Sequence, residues 1–458
     1  MLKKYIGTKS FYRRVLTLTI PIVIQSGITN FVSMLDNVMV GRIGTLEMSG
    51  VAIANQLIFV FSLCIFGAVS GAGIFGAQFV GKGDNDGVRY VFRFKLMSAT
   101  LISIVGIGAF ILFGKSLIST YLTGDDSVGD TAAALEYGWE YLKIILIGLL
   151  PYSVTQVYAS SLRETDNSLP PMVAGTVAVF INLLFNYILI FGNFGAPRLG
   201  VAGAAIATVI SRYVELVISI IWAFAIRKKI PFIVGAYKSL YVPASLVRGI
   251  FTKGAPIMLN ETMWSAGMAA LSQSFSTRGI SAVAAVNIET TFYDVFAVAF
   301  LSLGSSIGII IGQILGTADF DKAKDYSRKL MAFSFMTGVV SGILFFVAAI
   351  FIPAIYNTTA DVAALSTRLM QIMAILMPVE ALCNASYFTL RSGGKVIITV
   401  LFDSVFMWSV SVLTAFLLSR LTTMEIIPLF ALVQALAIFK ASLGVIFVKK
   451  GIWLKSIV

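Results

Sequence analysis

The run LMAFSFMTGVVSGILFFVAAIFIPAIY, residues 330–356, holds 27 consecutive positions without Asp, Glu, Lys or Arg. Crossing the hydrocarbon core of a bilayer takes about 20 predominantly apolar residues, and soluble helices of this length and apolarity are rare. The run is therefore read as a membrane-crossing helix, and the rest of the chain agrees. Of 458 residues, 58% are hydrophobic and 12% charged, with a mean hydropathy of +0.91. Soluble domains average roughly half apolar and a quarter charged. Lipid is the expected solvent.

Working outward from 330–356, hydrophobic runs bounded by charges or by Gly/Pro clusters give twelve spans. They lie near residues 15–40, 51–80, 92–114, 136–162, 170–193, 200–226, 250–276, 283–315, 330–356, 366–390, 396–419 and 426–448. The first span follows Lys3, Lys4, Lys9, Arg13 and Arg14, but it is too long for a signal-peptide core, so it is read as a helix of the mature chain. With this count, 25 of the 34 basic residues fall on the face of the N-terminus, 6 on the other face, and 3 (Lys143, Arg212, Lys440) within spans. Cytoplasmic loops are enriched in Lys and Arg. Both termini are expected in the cytoplasm of a plasma membrane, specifically a bacterial inner membrane. The net charge of +12 then reports orientation and contact with lipid headgroups, not nucleic-acid binding.

Shifting the chain by 235 residues aligns 17–84 with 252–319 without a gap: Pro21 meets Pro256, Gly44 meets Gly279, and Ser70 meets Ser305. The polar tail is the most telling part, because Gln78, Gly81 and Asp84 fall on Gln313, Gly316 and Asp319. A second echo pairs Pro151 with Pro378 and Arg163 with Arg391. The expected architecture is all-α and integral to the membrane, with twelve transmembrane helices in two six-helix bundles around a V-shaped central cleft. An N-lobe covers 1–228, a basic cytoplasmic linker 229–252, and a C-lobe 253–458. An even number of helices per repeat gives both halves the same orientation, which places a transport site between them and implies alternating access.

The chemistry available argues for transport rather than catalysis. The chain has no histidine, and its two cysteines (Cys64 and Cys383) lie in apolar runs. No cofactor, metal cluster or nucleic-acid partner is expected, and the chain is expected to work as a monomer among membrane lipids. Charges inside spans cost at least a few kcal/mol each, about 2.5–3.5 on insertion scales, so each needs a partner or a purpose. Arg212 with Glu215, and Glu140 with Lys143, stand three apart and are read as pairs along their own helices, while Lys440 is read as reaching toward the cytoplasm. Five carboxylates have no obvious local base: Asp36, Glu261, Asp294, Glu380 and Asp403. By helical rise, Glu261 and Asp403 each sit about 12 Å beyond the preceding cytoplasmic lysine, with Glu380 about as deep from the other side. Asp36 belongs to the outer half. Desolvated acids near one another can exchange a proton for a cationic ligand, which is antiporter chemistry. Asp294 and Asp403 are the less secure members of this set, as hydrogen-bonding buried acids would look the same. Asn182 and Asn186, four apart, share one helix face and either bridge helices or offer carbonyl oxygen to a cation.

Over its whole length the chain resembles the MATE (multidrug and toxic compound extrusion) family. The resemblance is carried by INLLFNYILIFGNFGAPRLGVAGAAIATVISR at 181–212, MLDNVMVGRIG at 34–44, GAPIMLNETMW at 254–264 and LRSGG at 390–394. It implies an N-lobe cation site at Asp36, Asn182 and Asn186, with Na⁺ as one occupant, and C-lobe charges at Glu261 and Glu380. Asn186 departs from those members that carry aspartate there, so the site holds one charge fewer and the coupling ion stays open between H⁺ and Na⁺. The expected activity is export of small organic cations in exchange for that ion. The alternatives are a flippase of lipid-linked substrates, disfavoured by the acid-rich interior, or another twelve-helix secondary transporter. The loop VGKGDNDGVRYVFR at 80–93 fits the major facilitator pattern poorly.

Overall fold

A computed structural model of the chain describes residues 4–122, 131–355 and 358–458. These residues are nearly all helical, with no strand among them. The helices are α1 (Lys9–Gly41), α2 (Thr45–Lys82), α3 (Asn85–Leu122), α4 (Thr131–Glu164), α5 (Leu169–Phe191), α6 (Gly200–Ala225), α7 (Ala244–Ser276), α8 (Ile280–Gly316), α9 (Phe320–Phe351) and α10 (Ala360–Ser392). They are followed by α11 (Val396–Leu421) and α12 (Ile426–Lys449). Eleven of them are long and apolar enough to cross a membrane. The twelfth, α7, carries Arg248, Lys253 and Glu261 within its 33 residues. Its length of about 50 Å at the helical rise is still ample for a span.

Exposed apolar side chains confirm which solvent these helices meet. On α9, Val340, Ile343, Leu344, Val347 and Phe351 are all more than half exposed. Their three- and four-residue spacing puts them on one stripe. In water such a stripe would be buried; in lipid it needs no cover.

Two compact units emerge. One comprises Ile24–Gly76 and Asn85–Gly254; the other comprises Met1–Val23, Ala77–Asp84 and Ala255–Val458. The unit boundaries along α1 and α7 lie within three residues of the repeat-related Pro21 and Pro256. Proline inside a helix removes one backbone hydrogen bond and bends the axis. In the second unit, a Cβ on Gly81 would collide with the carbonyl of Gln313, and a Cβ on Gly316 with that of Gln78. These are reciprocal contacts between residues related by the 235-residue shift, so the polar tail of the repeat marks a close helix crossing. Adding a methyl group there meets backbone, which has no rotamer to yield. Gly81→Ala and Gly316→Ala are each expected to cost about 1–3 kcal/mol, seen as a lower unfolding temperature in detergent; wild-type stability in both would refute this account of the glycines.

The segment between the repeats is not a loose tether. Its two short turns, Pro231–Ile233 and Ala236–Lys238, pack on the first unit through buried Phe232, Ile233 and Ala236. Arg93 donates to the carbonyls of Gly235 and Ala236, both at 2.8 Å, and Arg89 to that of Phe232 at 3.1 Å. Backbone carbonyls packed away from solvent need donors, and the two guanidinium groups supply them.

Candidate functional site

Each unit contains one cluster of acids, amides and hydroxyls. In the first, Pro170 and Pro171 start α5, and Gly192 ends it in the left-handed conformation at φ 75°. Glycine meets that conformation without a Cβ penalty. Within α5, Asn182 and Asn186 are 7% and 2% exposed and face Asp36 of α1. Asn186 Nδ2 donates to Asp36 Oδ1 at 2.7 Å. With its nitrogen turned toward the carboxylate, Asn182 lies 3.0 Å from Asp36 Oδ2 and 3.1 Å from Oδ1, and its oxygen accepts from Thr208 Oγ1 at 3.3 Å. That orientation gives the carboxylate two amide donors and is preferred on hydrogen-bond grounds. Tyr141 of α4 is 7% exposed and lies within electrostatic reach of Asp36 and Arg212. Asp36 is half-buried and forms no ion pair among the described residues. Buried Asn186 Oδ1 has no protein donor. Asp36 can therefore hold a proton, or together with Asn186 Oδ1 supply oxygen to a small cation.

The second cluster joins α7, α10, α11 and α12. Glu261 Oε1 accepts from the Tyr387 hydroxyl at 2.8 Å, and Arg391 Nη1 stands 3.7 Å from the same oxygen. Asn260 Nδ2 donates to Asp403 Oδ2 at 2.9 Å, and Lys440 Nζ donates to Asp403 Oδ1 at 2.6 Å. Asp403 thus has a base after all, supplied from 37 residues away, and Lys440 turns inward to it instead of reaching for the cytoplasm. The physical reason is that an ammonium and a carboxylate in a dry interior gain far more from each other than either does alone. Glu380, half-buried, makes no ion pair among the described residues; the opposite charge acting on it is Lys440.

Asp294 is exposed, whereas Glu289, five residues earlier on α8 and passed over by sequence reasoning, is 3% exposed and accepts from Thr290 Oγ1 at 3.3 Å. Tyr293 lies within electrostatic reach of Glu289, Asp294 and Glu380. The four-residue spacing of Glu289 and Tyr293, which puts both on one helix face, was the available signal.

The two presumed own-helix pairs are not closed by direct contact. Arg212 lies 4.9 Å above the Tyr152 ring, and Glu215 is influenced by Arg163 of α4 as well as by Arg212. Arg163 in turn donates to Gln25 Oε1 at 2.6 Å. Lys143 sits over the Trp139 ring at 5.6 Å. Among the described residues no three His, Cys, Asp or Glu side chains converge.

Twelve membrane helices in two repeats, each with a carboxylate held among amides and hydroxyls in its interior, define a multi-pass membrane transporter. The MatE family model matches two stretches, residues 21–188 and 256–417, whose starts are 235 residues apart. The chain belongs to the MatE family. Over 97% of the chain it is 23% identical to the probable multidrug resistance protein NorM of Thermotoga maritima, covering 94% of that protein. It is 29% identical to the NorM of Halalkalibacterium halodurans over 84% of the chain and 82% of the relative. The fold is that of an outward-facing multidrug resistance MATE transporter of the MOP superfamily, with TM-score 0.86 over 98% of this chain and 97% of the other at 16% identity. A MOP superfamily transporter from Pyrococcus furiosus matches with TM-score 0.85, covering 98% of this chain and 100% of that one, also at 16% identity. The chain is a transporter, not an enzyme.

Proposed function

We propose that this chain is an antiporter of a bacterial inner membrane that exports organic cations, working as a monomer with both termini cytoplasmic. H⁺ or Na⁺ enters in exchange, and no cofactor takes part. Its curated relatives are bacterial and are named for multidrug resistance, which supports the cargo class and the membrane. The observation that carries the reading is Asp36, a half-buried carboxylate held by two amides and by no base among the described residues. Such a group can be neutralised by a proton, by Na⁺ or by a cargo cation, one at a time. Glu261, beside Arg391, and Glu380, on which Lys440 acts, give the other repeat its interior acids, and alternate exposure of these groups to the two membrane faces turns exchange into transport.

One monovalent ion entering for each monovalent organic cation leaving moves no net charge, so the ion's own concentration gradient drives the cycle, and a tenfold gradient, about 1.4 kcal/mol, sustains about a tenfold cargo ratio. The test is ethidium efflux from vesicles containing the purified protein, under an imposed pH gradient or an imposed sodium gradient, each applied alone. One gradient is expected to drive efflux and thereby name the ion. Failure of both, with protein correctly inserted, would overturn the proposal.

A further inference from the structure

The antiport reading leaves Lys440 unused. It is a base inside a membrane helix, placed where acids are meant to bind a foreign cation. Its ammonium occupies Asp403 Oδ1 at 2.6 Å, while Asn260 occupies Oδ2 at 2.9 Å. Its charge also acts on Glu380 of α10. The seam between α10 and α12 explains this placement. Cys383, one turn after Glu380, contacts the Ala437 carbonyl at 3.5 Å, one turn before Lys440. Farther along, Gly444 lets α12 come close to Ser386. Lys440 thus lies about one helical turn from Glu380 along the seam, within the reach of a long, flexible side chain.

Both helices that carry the pair are irregular at that level. Asp403 sits in a wide π-type turn, Leu401–Val405, followed by a second one at Met407–Val412. The α12 helix is interrupted at Leu436, between Ala435 and Ala437. Wide turns of this kind concentrate at functional sites, where backbone pairing must readjust. A pair meant only to staple two helices gains nothing from such backbone.

We infer that Lys440 is a tethered internal cation that competes with cationic cargo for the Asp403 and Glu380 carboxylates, and so sets how tightly the C-terminal repeat holds its cargo. The inference rests on the organic-cation reading above. With cargo absent, the ammonium neutralises Asp403 and no exchangeable ion is needed there. Cargo arriving at Glu380 meets a positive neighbour, which weakens binding and speeds release.

The experiment measures ethidium affinity of the purified full-length protein, together with efflux kinetics. Lys440→Met is expected to tighten the ethidium Kd about tenfold, with KM and kcat falling together because release slows. Lys440→Gln, which keeps a hydrogen-bond donor for Asp403 without the charge, should do the same. Adding Asp403→Asn to Lys440→Met removes the surplus negative charge and should return the Kd toward the wild-type value. A purely structural role for Lys440 predicts poor folding without tighter binding. An unchanged or weaker Kd in folded Lys440→Gln overturns the inference while leaving the antiport reading intact. A wild-type protein that neither binds nor exports ethidium would overturn both.

Discussion

Replacing Asp36 by Asn is expected to abolish efflux. The substitution conserves shape and leaves an oxygen to accept from Asn186, which now donates to Asp36 Oδ1 at 2.7 Å. What disappears is the single negative charge. Without it the cluster in the first unit can neither take up a proton nor prefer a cation, and transport loses its coupling. The cargo concentration ratio that the coupled ion gradient sustains should collapse toward unity. A drug-sensitive bacterial host producing Asp36→Asn should be as sensitive as one with an empty vector, at wild-type protein levels. Full resistance in that strain would remove Asp36 from the mechanism.

The largest effect on stability is expected at Lys95. Its ammonium is fully buried and contacts both oxygens of Glu164, at 2.6 and 2.7 Å, while Ser160 donates to the same carboxylate at 2.6 Å. Glu164 lies against Gly73 and Gly76 of α2, where a Cβ at either position would press on the carboxylate. Lys95→Met strands that carboxylate in a dry interior, and breaking a buried pair from one side typically costs about 3–5 kcal/mol. Exchanging both partners for apolar residues of similar size is often neutral, so Lys95→Met with Glu164→Met should recover most of the loss. Thermal unfolding in detergent measures both. A single variant as stable as the wild type would mean that water reaches Glu164.

These two predictions rest on features with unequal visibility in the sequence. Asp36, Asn182 and Asn186 could be chosen in advance, because a charge in an apolar run stands out and a four-residue spacing fixes one helix face. The polar tail of the repeat pointed to the duplication, whereas the close approach of Gly81 and Gly316 to the carbonyls of Gln313 and Gln78 is seen only in the structure. Glu289 was passed over, although it is buried, and Asp294, a less secure member of the chosen acids, is exposed. The segment 229–252 reads as a charged linker, yet Arg89 and Arg93 bind its carbonyls and hold it to the first unit.

The number of helices, the duplication and the choice of lipid as solvent were determined by the sequence itself, because transfer of a side chain into hydrocarbon depends on that side chain and its near neighbours along the chain. Which acids have partners was decided only in three dimensions. Lys440 finds Asp403, Arg391 stands beside Glu261, and Lys95 locks Glu164 across 69 residues. Coulomb attraction depends on distance through space, and the rotation of one helix against another, which sets that distance, is not written in the apolarity of either.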